Sequence, residues 1–268
     1  MRNNLSQLIS LSKIEEKLYR PADAYELSRV TRMEHVKTTI VETPQEGIAA
    51  VAARIAQLIN RREANGQKTV LSLASGRSMR DLFVELVRLH KEEGLSFKNV
   101  VVFGSYEFYP LSDTTSGSMA QIQSQLLEHV DILPENVHTF PGDLPKEDVF
   151  AFCEEYEKAI VEAGGIDVQV LGIGQCGNIA MNEPGTQPNS STRLVIMDGN
   201  SRVDAKSLFG NVAQVPTCAI TLGVETILQA KEVILLAFGQ HKAGIVKQAI
   251  EEVANAACPA SYLQLHKN

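Results

Sequence analysis

A β-branched run, Ile166-Asp167-Val168-Gln169-Val170, leads into three closely spaced glycines, Gly172, Gly174 and Gly177. Such a run reads as a buried strand of a parallel sheet, covered on both faces. Glycine beyond it lets the backbone turn sharply or lets a ligand come close. After a short apolar stretch, Asn182-Glu183-Pro184-Gly185 forms a turn that sets one carboxylate just past the strand's C-terminal end. In open α/β sheets that edge is where ligands bind.

The rest of the chain supplies what a parallel strand needs, because strand-like and helix-like segments alternate. Thr43-Pro44-Gln45-Glu46 is a helix start, with Thr43 as cap, Pro44 at the first helical position and Glu46 completing a capping box. Ile48, Val51, Ile55, Leu58 and Ile59 give that helix one apolar face, and Gly66 ends it. Strands are predicted over residues 69–74, 99–103, 193–197, 217–221 and 232–238, with a short one over 137–140. Helices are predicted over 79–93, 118–129, 146–163, 202–209 and 224–230, and from Gly239 to Ala256. No repeat, low-complexity tract or linker interrupts this order. The pattern predicts an α/β fold, a doubly wound, mostly parallel sheet sandwiched by helices. Residues 43–268 read as a single domain. Residues 1–42, weakly patterned and broken by Tyr19-Arg20-Pro21, read as an arm packed on it or at a subunit interface, or as a mobile leader.

Composition narrows the function classes. A chain of 268 residues is long enough to cover a sheet on both faces. Its formal net charge of −7 argues against nucleic acid or an anionic membrane as partner, so an anionic metabolite would need a local cluster of donors. Cys153, Cys176, Cys218 and Cys258 lack paired spacing or nearby histidines and read as reduced thiols, with neither a disulfide framework nor a metal site expected. No apolar run approaches membrane-spanning length, which reads as a cytoplasmic protein. No cofactor is called for.

Three readings compete for the central glycines. They match the spacing of a dinucleotide fingerprint, with Asp198 at the end of the next strand. The intervening Pro184-Gly185-Thr186-Gln187-Pro188-Asn189-Ser190-Ser191 cannot form the long helix that motif requires, which rejects the dinucleotide site. A plain strand-to-loop connection with an exposed glutamate is the second reading, and a sugar-phosphate site the third.

Other segments bear on that choice. Ser75-Gly76-Arg77-Ser78 lies between a strand and a helix start, where free N–H groups, the helix dipole and two hydroxyls would hold an anion. Arg77 and Arg80 sit at the positive end of the same helix, a conflict that a bound anion would relieve, although a capped helix with solvated arginines is equally compatible. Glu107, among Tyr106, Phe108 and Tyr109 in the loop after the third strand, reads as a carboxylate suited to proton transfer, or as part of an aromatic cover with its charge paired elsewhere. Lys242 is a second cation at a strand end and helix start, or an ordinary surface lysine.

Together these segments, in this order over residues 45–266, resemble the glucosamine-6-phosphate deaminase (isomerase) family of the 6-phosphogluconolactonase-like superfamily. The matching stretches are 71–78, 103–111, 171–184, 223–228, 239–242 and Leu263-Gln264-Leu265-His266. The resemblance implies a modified Rossmann-like fold, a small-molecule sugar phosphate held by Ser75, Gly76, Arg77, Ser78 and Lys242, and a reaction that opens the ring, moves a proton from C2 to C1 and releases ammonia. Where the family carries a phosphate-binding arginine this chain has Ser207, with Lys206 beside it as the substitute.

The chemical positions depart from the family. Its Asp-Glu-Tyr after the third strand is Tyr106-Glu107-Phe108 here, and its Asp-Gly-His in the central loop is Cys176-Gly177-Asn178; only its last glutamate is kept, as Glu183. Tyr106, Gly174, Cys176 and Asn178 are therefore expected to line the sugar, without a ready proton carrier among them. The expectation is a deaminase-like enzyme with a rearranged acid–base set, Glu107 and Glu183. A non-catalytic phosphosugar sensor and a lactonase-type hydrolase are the rivals, and a homo-oligomer is compatible with all three. The chain stops soon after His266, where the resemblance implies one more strand, which reads as a domain cut from a longer chain.

Overall fold

The computed structural model describes residues 21–267; the first half of the expected N-terminal arm lies outside the described residues. In chain order the elements are α1 (Ala24–Thr31), α2 (Pro44–Ala64), β1 (Thr69–Leu73), α3 (Arg77–Glu93), β2 (Val100–Gly104), β3 (Tyr106–Tyr109), α4 (Ser118–Gln125) and β4 (Val137–His138). They continue with α5 (Val149–Glu162), β5 (Val168–Gly172), β6 (Arg193–Ile196), α6 (Gly199–Phe209), β7 (Cys218–Thr221), α7 (Val224–Leu228), β8 (Glu232–Leu236) and α8 (Ala243–Glu251). A 3₁₀ segment, Pro259–Leu265, follows.

Five strands form an all-parallel sheet in the order β4-β2-β1-β5-β8. The chain winds outward from β1 through β2 to β4, then returns to β5 beside β1 and winds the other way to β8. A crevice at such a reversal opens beyond the strands' carboxyl ends. The doubly wound expectation holds for this sheet.

Strand alternation explains the unbroken apolar runs. Leu71, Leu73, Val100, Val102, Val168 and Val170 pack on one side with Ile55 and Ile59 of α2 and Leu82, Phe83 and Leu86 of α3. Val70, Val101, Phe103 and Leu171 pack on the other with Val149, Cys153, Tyr156 and Ile160 of α5. Each fully buried aliphatic or aromatic side chain contributes roughly 1.5–3 kcal/mol, so both faces of the central strands are mainly apolar; the buried exceptions Ser72 and Gln169 hydrogen-bond to Ser105. At the N-terminal edge the buried Asp167 accepts from Val70 N (2.8 Å) and Lys231 Nζ (2.7 Å) and pairs with Arg62 at 3.3 Å. That knot joins α2, β1, β5 and the turn before β8. The expected start of α2 is present, with Thr43 Oγ1 accepting from Glu46 N at 3.3 Å.

Two features differ from the sequence expectation. The segment after β2 is not a loop: after the single residue Ser105 the chain re-forms as β3, the edge of a separate antiparallel sheet in the order β3-β7-β6. The last helix is short, because a 3₁₀ turn occupies Gln240–Lys242 and the chain becomes extended at Glu252. Residues beyond it instead drop onto the central loop, where Ala256 O accepts from Gly185 N (2.7 Å) and Ala260 N donates to Gly177 O (2.8 Å). At the start of the described residues, α1 buries none of its side chains.

Candidate functional site

The strand order reverses between β1 and β5, so the candidate crevice lies beyond their carboxyl ends, between the turn after β1 and the glycine loop after β5. In the first of these, Gly76 precedes α3 with φ +130°, and no side chain accepts from the helix's leading N–H groups. Only glycine adopts that conformation without strain. The result is a helix N-terminus with open donors, the geometry that an anion cradle requires. Ser75 is buried and shares a hydrogen bond with the Tyr106 hydroxyl, 2.8 Å away, while Gly76 and Arg77 are exposed and Ser78 is half-buried. Tyr106 thus reaches from β3 onto the cradle, and burial holds its phenol above its usual range. Its ring stands edge-on to Phe108, which stands edge-on to Phe209 at the end of α6.

The central loop is tightly closed. Gly174 N donates to Asn178 O (2.9 Å) and Gly177 N to Gly174 O (3.1 Å). The Asn178 amide folds over Gly174 so closely that a Cβ there would lie 1.8 Å from Oδ1. Gly177, at φ +77°, packs on Cys258, whose sulfur a Cβ would meet at 2.5 Å. Lys242 Nζ donates to Ile173 O at 2.9 Å, so this cation is fixed at the C-terminal end of β5. Gln175 Nε2 donates to Asp204 (3.0 Å) and Asn200 Nδ2 to the Cys176 sulfur (3.3 Å), which joins the loop to α6.

Glu183 meets the same helix. Its carboxylate accepts from Asp198 N (3.2 Å) and Ser201 Oγ (3.0 Å). It is 9% exposed, and desolvation, with smaller contributions from Asp198 and Asp204, holds it above the usual carboxylate range despite those two donors. It lines an open groove of about 480 Å³ with Thr186, Ser190 and Arg193. Burial lowers the Arg193 guanidinium's proton affinity, and its N–H groups donate to Asn182 Oδ1 (3.0 Å), Ser191 O (3.1 Å) and Thr186 Oγ1 (3.2 Å).

Glu107 stands apart from the other expected residues. It is 3% exposed on β3, and its carboxylate accepts from three backbone N–H groups: Phe108 (2.8 Å), Ser118 (2.7 Å) and Met119 (2.8 Å). Ser118 and Met119 open α4, so Glu107 caps that helix from a neighbouring strand. This geometry fits the other reading of Glu107, a carboxylate engaged away from the sugar, since three of its roughly four acceptor sites already take backbone N–H groups. Lys206, the expected substitute cation, is exposed near the end of α6, as is Ser207 beside it. Ser201, Asp204 and Arg193 were not foreseen. Asp198 caps α6 by accepting from Asn200 N, and the Asp198-Gly199-Asn200-Ser201 run is the local signal that would have marked this turn.

Residues 42–268 match the family described as glucosamine-6-phosphate isomerases/6-phosphogluconolactonase. A glucosamine-6-phosphate deaminase-like protein of Bacteroides thetaiotaomicron is 45% identical over all of this chain, which spans 41% of that relative's length. The glucosamine-6-phosphate deaminase of Caenorhabditis elegans is 36% identical over 85% of this chain and 86% of its own. Among solved structures, a monomeric glucosamine-6-phosphate deaminase superposes with a TM-score of 0.81 at 33% identity, covering 87% of this chain and 95% of that one. The 6-phosphogluconolactonase of Thermotoga maritima, at 22% identity and a TM-score of 0.62, shares the fold. Among the described residues no helix is long and apolar enough to cross a membrane.

Proposed function

The chain belongs to the glucosamine-6-phosphate isomerase/6-phosphogluconolactonase family, and on that premise we propose that it binds an amino-sugar phosphate in the β1/β5 crevice, with Glu183 as its proton-transfer group. The phosphate is held by the open N–H groups of α3, the hydroxyls of Ser75 and Ser78, and Lys242. The sugar then runs along the central loop past Gly174, Cys176 and Asn178, with Tyr106 against the cradle.

The observation that carries this reading is the state of Glu183. A carboxyl that burial holds above the ordinary carboxylate range, at the edge of an open groove, is better matched to giving and accepting a proton than a solvated one. One carboxylate can remove the C2 proton of the open-chain amino-aldose phosphate and return it to C1 through an enediolamine; water then hydrolyses the resulting C2 imine, releasing ammonia and leaving the 2-ketose phosphate. Asn178 cannot protonate a ring oxygen, so the reaction draws on the small open-chain fraction already in solution. Loss of each general acid or base typically costs ~10²–10⁴-fold in rate, so turnover is expected to be slow.

Proton NMR of glucosamine 6-phosphate in deuterated buffer tests this directly. Loss of the C2 proton signal, or growth of fructose 6-phosphate, is expected with the wild-type chain and not with Glu183→Gln. A sugar left unchanged by the wild type would refute proton transfer. A second reading, binding without turnover, is favoured by the engagement of Glu107 and by Tyr106 and Asn178 at the chemical positions. In that case titration calorimetry gives the same affinity for wild type and Glu183→Gln, and Lys242→Ala weakens it.

A further inference from the structure

The first turn of α6 does more than cap itself. Asp198 spends its carboxylate on Asn200 N (2.8 Å), yet its own N–H is turned to Glu183 Oε1 and the Ser201 hydroxyl to Oε2. Serine inside a helix usually faces water or bonds back to its own helix's carbonyls. Ser201 does neither: it is 7% exposed and donates to a carboxylate 18 residues earlier, in another segment.

We propose that Ser201 is a positioning residue for Glu183, its hydroxyl anchoring the second carboxyl oxygen so that the group is fixed in one orientation against α6. The inference rests on the reading of Glu183 as the proton-transfer group. The charges acting on Glu183 come from Asp198 and Asp204, on the cap and body of α6, and both oppose its ionisation. Arg193 lines the same groove but is engaged by Asn182, Thr186 and Ser191. The two donors from α6 are thus what favours the charged form, and a donor removed from a carboxylate leaves the neutral form relatively more stable. Asp198 N is backbone and cannot be deleted by substitution; Ser201 can.

The test follows the Glu183 carboxyl carbon by NMR across a pH titration of the full chain labelled at glutamate, the resonance being assigned by its loss in Glu183→Gln. Ser201→Ala is expected to move the midpoint upward by on the order of one pH unit, the equivalent of one charge-assisted hydrogen bond. Ser201→Thr, which keeps the hydroxyl, is expected to titrate close to wild type. Should the alanine variant fail to fold, Ser201→Cys, with its weak donor, serves the same comparison. An alanine or cysteine variant titrating with wild type, or a threonine variant moving with the alanine one, overturns the proposal. The titration needs no substrate. If the midpoint moves while sugar deuteration ignores Glu183→Gln, the positioning stands and the proton-transfer reading falls.

Discussion

Two buried glutamates each receive the opening turn of a helix, and their surroundings differ. Glu107 faces three backbone N–H groups at 2.7–2.8 Å, and the start of α4 is closed over it so tightly that a Cβ at Gly117 would lie 2.6 Å from its Oε1. Glu183 has one backbone donor and one hydroxyl, two acidic neighbours, and an open groove beside it. Burial raises the proton affinity of both. The difference is what the remaining lone pairs can do. A carboxylate whose donors are all backbone and whose exit is blocked is part of the framework. One held by a side chain at the edge of a groove is free to exchange its proton. An elevated proton affinity alone does not separate the two, and only the partner list does.

Substitutions sharpen that contrast, and the largest effect belongs to Glu107. Glu107→Ala would orphan three backbone donors, each worth about 1–3 kcal/mol when left buried and unpaired; a loss of at least about 3 kcal/mol is expected in urea unfolding, without a specific effect on sugar-phosphate affinity. Gly117→Ala would push a methyl against Glu107 Oε1 and Leu111 Cδ2, 2.6 and 2.7 Å from its Cβ. Overpacking of that kind costs about 1–3 kcal/mol, read as a lower urea midpoint at unchanged slope. A cost near zero would mean the α4 start moves freely, and the framework role of Glu107 would lapse.

Glu183→Gln is expected to change stability least, and its sign depends on pH. The folded-state value for Glu183 lies above the ordinary carboxylate value of 4.5, so the folded chain binds the extra proton. Its contribution is therefore fully present below the ordinary value and fades as pH rises through the raised one. Glutamine mimics the protonated group and lacks that loss. The variant should match wild type in acid and equal or slightly exceed it at pH 8, by less than about 1 kcal/mol, as followed by thermal melts at both pH values. A variant destabilised at pH 8 by as much as Glu107→Ala would make the two glutamates equivalent and erase the contrast.

What the sequence made legible follows from how local each signal is. The strands of the parallel sheet stand out because both their faces are buried, and Thr43-Pro44 marks α2 because a cap is written in neighbouring residues. Glu183 and Lys242 were readable as residues just beyond strand ends. The antiparallel sheet was not, because β3 is a four-residue strand one residue beyond β2, and its partner β7 starts more than a hundred residues downstream. The role of Glu107 depends on that pairing and on a helix that begins at Ser118, so no pattern around Glu107 discloses it. The shortened α8 shows the same principle, since tertiary bonds from Gly185 and Gly177 claim the backbone that helical periodicity would have extended.

Those same bonds tie the site to a distant part of the chain. The glycine loop at the heart of the crevice is backed by Cys258 and Ala260, some eighty residues further along. That backing is itself part of the core: Cys258, Ala260 and Leu263 are buried with Leu171 of β5 and Cys153 of α5. Shortening the chain ahead of Cys258 would expose apolar surface as well as open the glycine loop, so the site and the fold are completed together.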